Sequence, residues 1–262
     1  PVDEKGFVDV KALASLIRSD TTLISVMAVN NEIGSIQPIE AISELLADKP
    51  TISFHVDAVQ ALAKIPTEKY LTNRVDFATF SSHKFHGVRG VGFVYIKSGK
   101  KITPLLTGGG QERDYRSTTE NVAGIAATAK ALRLSMEKLD IFASKTGQMK
   151  AVIRQAILDY QDIFVFSDEE DFAPHILTFG IKGVRGEVIV HAFEDYDIFI
   201  STTSACSSKA GKPAGTLIAM GVDKDKAQSA VRLSLDLEND MSQVEQFLTK
   251  LKLIYNQTRK VR

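Results

Sequence analysis

Two short segments hold the residues best suited to chemistry. His55-Val56-Asp57-Ala58-Val59-Gln60 and Ser81-Ser82-His83-Lys84 place a carboxylate and a lysine near the ends of two successive apolar runs. A cofactor built on an electron-poor pyridine uses such a pair. The amine forms a Schiff base with its aldehyde, and the carboxylate keeps the ring nitrogen protonated. Small hydroxyls precede Lys84, His83 adjoins it, and Gly87 and Gly90 follow. Ser81 and His83 are suited to bind a phosphate, which pyridoxal phosphate carries. The plain alternatives are a solvated surface lysine and an Asp57 that caps a helix, with Gln60 three residues on returning a capping-box bond.

Three further groups are chemically suggestive. Gly108-Gly109-Gly110 with Arg113, Arg116, Ser117 and Thr119 reads either as a flexible turn or as an anion site at a helix start. It matches neither a P-loop nor a dinucleotide fingerprint. Cys206 is the one cysteine, in the small, polar stretch Ser201 to Pro213, which reads as a loop with an accessible thiol. Lys209 and Lys212 are placed to help ionise it. Arg232 lies in the strand-like run Val231 to Leu235, where its guanidinium either faces water or clamps a carboxylate. Scattered histidines and one cysteine lack the spacing of a zinc site, so no metal is expected.

The elements that position these residues follow from patterning. Apolar spacing predicts a helix near Val8 to Ile17, strands at Leu23–Val29 and Thr51–Val56, and a helix after Pro38 with Ile39, Ile42, Leu45 and Leu46 facing in. Strands at Val75–Phe80 and Gly90–Ile96 follow, then a long helix from Thr119 and a second from about Ile141 to Tyr160. Further strands are expected at Ile163–Phe166, Ile176–Phe179, Ile198–Ile200 and Val231–Leu235, with helices near Glu187–Phe193 and Met241–Tyr255. Alternating strands and helices predict an α/β chain with a mainly parallel sheet flanked by helices, and a smaller α+β domain after it. The boundary falls near Asp140, giving domains 1–139 and 140–262. In parallel sheets ligands gather at the carboxyl ends of strands, where Asn31, Asp57 and Ser81 to Lys84 all fall.

The 262 residues carry equal numbers of acidic and basic side chains, so no global field points to nucleic acid or an anionic membrane. No apolar run approaches a membrane span. The lone cysteine excludes an internal disulfide and fits a reducing cytoplasm.

Taken together the chain resembles the NifS/IscS-type cysteine desulfurases, class V members of the fold-type I pyridoxal phosphate enzymes. The matching segments are Val29 to Gly34, His55 to Gln60, Ser81 to Gly87, Gly108 to Thr119, Ser204 to Ser207 and Val231 to Leu235. The resemblance implies that Lys84 carries the cofactor and Asp57 pairs with its pyridinium, while Gln60 and Asn31 contact the ring oxygen. It implies that Ser81 and His83 bind the phosphate, with Thr119 reaching the phosphate of the second subunit of a homodimer. Arg232, with Asn31, would bind the carboxylate of L-cysteine, and Cys206 would take its sulfur as a persulfide.

A sulfur-acceptor protein is then expected, either an iron–sulfur scaffold or a tRNA-thiolation enzyme. The short tail after Tyr255 favours the second. Family members carry roughly a further third of chain before the position of Pro1. That part supplies a phosphate-binding Gly/Thr loop and a histidine that stacks on the ring. Ser82 and Thr118 stand where glycine is common, and Thr202-Thr203 replaces a usual Ser-Gly. A selenocysteine lyase or another lyase or aminotransferase of the same fold is the nearest alternative. A non-catalytic sulfur carrier or interaction module is the alternative of another class.

Overall fold

The computed structural model describes residues 1–168, 170–203 and 215–260. In chain order its elements begin with α1 (Val10–Leu16), β1 (Leu23–Met27), α2 (Ile39–Leu45), β2 (Ser53–Asp57), β3 (Phe77–Ser81) and β4 (Gly92–Ile96). Next come α3 (Val122–Met136), α4 (Leu139–Leu158), β5 (Ile163–Val165), β6 (Ile176–Ile181) and α5 (Gly186–Glu194). Last are β7 (Ser201–Thr202), α6 (Gly215–Ala219), α7 (Lys224–Gln228), β8 (Ala230–Ser234) and α8 (Met241–Lys260). These form two compact units. One holds Ile17–Ala28 and Ile39–Leu139; the other holds Pro1–Leu16, Val29–Pro38 and the chain from Asp140 onward.

The first unit is built on a four-stranded sheet in the order β1-β2-β3-β4. β1, β2 and β3 run parallel, and β4 returns antiparallel beside β3. Burial alternates along β2 and β3, as period-two geometry requires. Phe54, Val56, Ala78 and Phe80 are buried, while His55, Asp57, Thr79 and Ser81 share the opposite, half-open face. Burying side chains as large as Phe54 and Val56 stabilises by roughly 1.5–3 kcal/mol each.

The start of β3 is fixed by a buried carboxylate. Asp76, 1% exposed, accepts the Phe54 amide at 2.9 Å and Arg74 Nη1 at 2.8 Å, with Lys100 Nζ 3.2 Å from its other oxygen. Arg74 also donates to the carbonyls of Leu46, Lys49 and Ile52. One ion pair therefore ties the end of α2, the start of β2 and the start of β3.

The second unit has an antiparallel sheet in the order β5-β6-β8-β7. β6 is buried along its whole length, as a central strand should be. Its core draws on Met149, Ile153 and Ile157 of α4, Phe193 of α5, and Val244, Phe247, Leu251 and Ile254 of α8. The Phe193 and Phe247 rings stack at 4.9 Å.

Two expectations need correction. Ile198–Ile200 is not a strand, and pairing with β8 begins only at Ser201. The reason is the close of α5. Asp197 takes a left-handed φ of 59°, and the amides of Tyr196 and Ile198 both return to the Phe193 carbonyl. These bonds hold the segment against the helix end, as C-terminal capping does. The long helix begins at Val122 rather than Thr119, because the Asn121 side chain accepts the Gly124 amide at 3.0 Å and caps it there.

Burial alone would raise the Asp76 carboxyl pKa, but the Phe54 amide, Arg74 and Lys100 outweigh it and hold it below its ordinary 3.8. A depressed carboxylate contributes stability above 3.8 that is lost as pH falls through the folded value. Asp76→Asn is expected to cost about 3 kcal/mol near neutral pH. Urea unfolding of both proteins across pH should show that deficit shrinking below pH 3.8. A constant deficit would contradict the assignment.

Candidate active site

Two parallel strands of the first unit, β1 and β2, end at one level, with Met27, Asp57 and Thr79 of β3 in register, and β3 runs on to Ser81. Two residues before Met27 and Asp57, Ser25 and His55 begin a row of hydrogen bonds on the half-open face that ends at Thr79. Ser25 Oγ lies 2.7 Å from His55 Nδ1, and His55 Nε2 lies 3.1 Å from Thr79 Oγ1. Burial lowers the His55 pKa, with the Asp57 charge partly opposing it. The ring is therefore neutral at pH 7, with one nitrogen donating and the other accepting. Asp57 stands next to it, two residues along the same face of β2.

Asp57 Oδ1 accepts the Val59 amide at 3.0 Å, closing a turn. No α-helix follows it: the chain continues in turns from Ala58 to Ile65, so the helix-cap alternative fails. Among the described residues Oδ2 has no hydrogen-bond partner, and neither does the half-buried Gln60 side chain.

From β3 the chain passes through Ser81 into a 3₁₀ turn, Ser82–Phe85, that carries His83 and Lys84. His86 ends the turn with φ 64°, and the Gly87 amide returns to the Ser82 carbonyl at 3.0 Å. Ser82 and Phe85 are buried, His83 is exposed and Lys84 is half-buried. Among the described residues the Lys84 ammonium has no hydrogen bond and no carboxylate partner. Thr119 is exposed in the segment before α3 and makes no side-chain bond to these residues among those described.

In the second unit Arg232 lies on β8, in register with Thr178 on one side and Ser201 on the other. Its Nη1 donates to the Asn31 carbonyl at 2.7 Å. The turn carrying Asn31 is held from several directions. Asn30 Oδ1 accepts the amides of Glu32 and Ile33, the Thr178 hydroxyl donates to the Glu32 carbonyl, and the Ser167 hydroxyl donates to the Ile33 carbonyl. The Glu32 carboxylate accepts the Thr216 amide at 3.3 Å. The structure thus joins Asn31 to Arg232, and places Asp57, Gln60, Ser81, His83 and Lys84 at one end of the first sheet. Cys206 lies outside the described residues.

Sequence reading did not single out Ser25, Thr79 or Glu32, nor give His55 a role. Period-two alternation through Asp57 and Ser81 would have put His55 and Thr79 on their face. The Glu32 bonds, to residues 146 and 184 positions away, have no local signal. Among the described residues no cluster of three or more His, Cys, Asp or Glu is placed to hold a metal. No described helix is long and apolar enough to cross a membrane.

Comparison with known proteins agrees with this geometry. The aminotransferase class-V family model matches residues 1–247, so the chain belongs to that family. A NifS/IcsS protein homolog from Lactobacillus delbrueckii subsp. bulgaricus is 49% identical over 100% of this chain and 68% of its own length. A cysteine desulfurase IscS from Clostridium botulinum is 38% identical over 100% of this chain and 66% of its own. A solved NifS-like protein superposes with a TM-score of 0.89 at 37% identity, covering 98% of this chain and 67% of that one. The chain therefore has the fold of the fold-type I pyridoxal phosphate enzymes and spans about two thirds of the relatives it matches.

The residues present fit pyridoxal phosphate. Among the described residues the open Asp57 Oδ2 suits a pyridinium N–H, the unpartnered Lys84 amine suits the aldehyde, and Ser81 and His83 offer donors for a phosphate. At Gly87 an added Cβ would fall 1.9 Å from Ser82 Oγ, so the turn requires glycine there. Gly87→Ala is expected to destabilise the protein by roughly 1–3 kcal/mol in urea unfolding; wild-type stability would show that the turn yields freely.

Proposed function

We propose that the chain is the greater part of a cysteine desulfurase, which takes sulfur from L-cysteine and leaves alanine. The observation that carries this reading is an open carboxylate, Asp57, and a lysine, Lys84, without a partner among the described residues, at the ends of adjacent parallel strands. Membership of a family whose relatives include named cysteine desulfurases supports it.

Pyridoxal phosphate, when bound, supplies a sink for the electrons left when the α-proton departs. The protein's residues do the rest. Asp57 Oδ2 accepts the ring N–H and keeps that proton in place, with Gln60 and Asn31 beside the ring oxygen. Ser81 and His83 hold the phosphate, and Thr119 holds that of a second subunit in a homodimer. Arg232 binds the substrate carboxylate through its fork. The Lys84 amine, once free, takes the α-proton. The Cys206 thiolate attacks the substrate sulfur and becomes a persulfide, while the electrons of the broken carbon–sulfur bond stay with the substrate carbon. An acceptor protein in the cytoplasm, a tRNA-thiolation enzyme or an iron–sulfur scaffold, then takes the sulfur.

Three variants of the intact protein test the assignments. Lys84→Ala should lose both the visible absorption with pyridoxal phosphate and the cofactor mass fixed by borohydride. Cys206→Ala should keep the absorption but lose sulfide release from L-cysteine. If it still turns over at the wild-type rate, the persulfide step is wrong and a lyase acting without that thiol replaces it. Arg232→Ala should raise KM for L-cysteine by about tenfold or more, the worth of a charge-assisted pair.

A further inference from the structure

The turn that carries Lys84 is gripped by one face of α3. Gly124, Thr128, Ala131 and Ser135 follow one another at intervals of four, three and four, so they lie along a single stripe of the helix. At one end of the turn Thr128 Oγ1 lies 2.9 Å from Ser82 Oγ, and both side chains are buried. At the other end the Ser135 hydroxyl donates to the Phe85 carbonyl at 3.1 Å. Gly124 allows close approach: a Cβ there would fall 2.8 Å from Val91 Cγ2, and the Val91 carbonyl accepts the Ser82 amide.

Thr128 is the donor in the Ser82–Thr128 pair. Thr128 Oγ1 also lies 2.8 Å from the Gly124 carbonyl, which only accepts. A hydroxyl has one proton. Thr128 shares it between the Gly124 carbonyl and Ser82 Oγ. Thr128 thus bridges the helix backbone and the turn, sealed from water, with Gly87 closing the far side of Ser82.

We infer that Thr128, acting through Ser82, is a positioning residue for Lys84. Lys84 sits between the two fixed points, Ser82 and Phe85, so these two bonds fix the height from which the amine reaches. This rests on the reading of Lys84 as the cofactor lysine. Displacements near 1 Å at a reacting group are worth about 100-fold in rate. Loosening one of two anchors is expected to lower kcat about tenfold with KM for L-cysteine unchanged.

The test uses the intact, cofactor-loaded protein. Thr128→Val removes the hydroxyl at nearly constant shape. It should still take up pyridoxal phosphate, yet shift the pH midpoint of the visible band by about half a unit or more, with the fall in kcat. Thr128→Ser should restore both. If Thr128→Val does not fold, Ser82→Ala breaks the same bond from the other side and should give the same shift. A variant with the wild-type midpoint and kcat, and only a lowered Tm, would overturn the inference and leave the bond a plain brace. Absence of borohydride-fixed cofactor on Lys84 in the wild type would instead overturn the underlying reading, and the inference with it.

Discussion

Asp76 carries a buried negative charge at the far end of the sheet from the candidate site, and the site depends on it. Its carboxylate binds the Phe54 amide three residues before Asp57, and it immediately precedes β3. In a two-faced sheet a slip of one residue would move every side chain to the wrong side. Asp57 would then enter the apolar layer and Val56 would leave it. Arg74 compensates the charge and extends the same anchor to the end of α2. What is fixed at the start of the strands is read out at their carboxyl ends, where Asp57 and Thr79 stand in register and β3 delivers the Lys84 turn.

Much of this was legible in the residues because the signals are local. Apolar runs marked β1, β2, β3 and β6 to within a few residues, and the polar groups following them marked the site. The failures are instructive. Ile198-Phe199-Ile200 has strand composition, but the left-handed Asp197 and the closing bonds of α5 claim its backbone first. Asn121, not Thr119, starts α3, because a cap depends on which side chain meets the third amide. Asp57 looked equally suited to cap a helix, and only the turn that follows decides against it.

The second unit shows what no local pattern carries. Arg232 reaches the Asn31 carbonyl across 201 positions, and Glu32 meets Thr178 and Thr216 across 146 and 184. Each partner is an ordinary residue in its own neighbourhood. Together they immobilise a five-residue turn whose side-chain amide, Asn31, makes no bond of its own among the described residues. The backbone of the turn is fixed while, among the described residues, the Asn31 amide is left open.

The packing of Gly87 on Ser82 has a historical consequence. A methyl at position 87 would collide with the Ser82 hydroxyl at 1.9 Å, and with its carbonyl only marginally, at 3.0 Å. Serine at 82 therefore makes alanine at 87 costly, by roughly 1–3 kcal/mol, whereas glycine at 82 would lower that cost. The two sites are coupled, so the order of substitution decides how much stability a lineage gives up on the way.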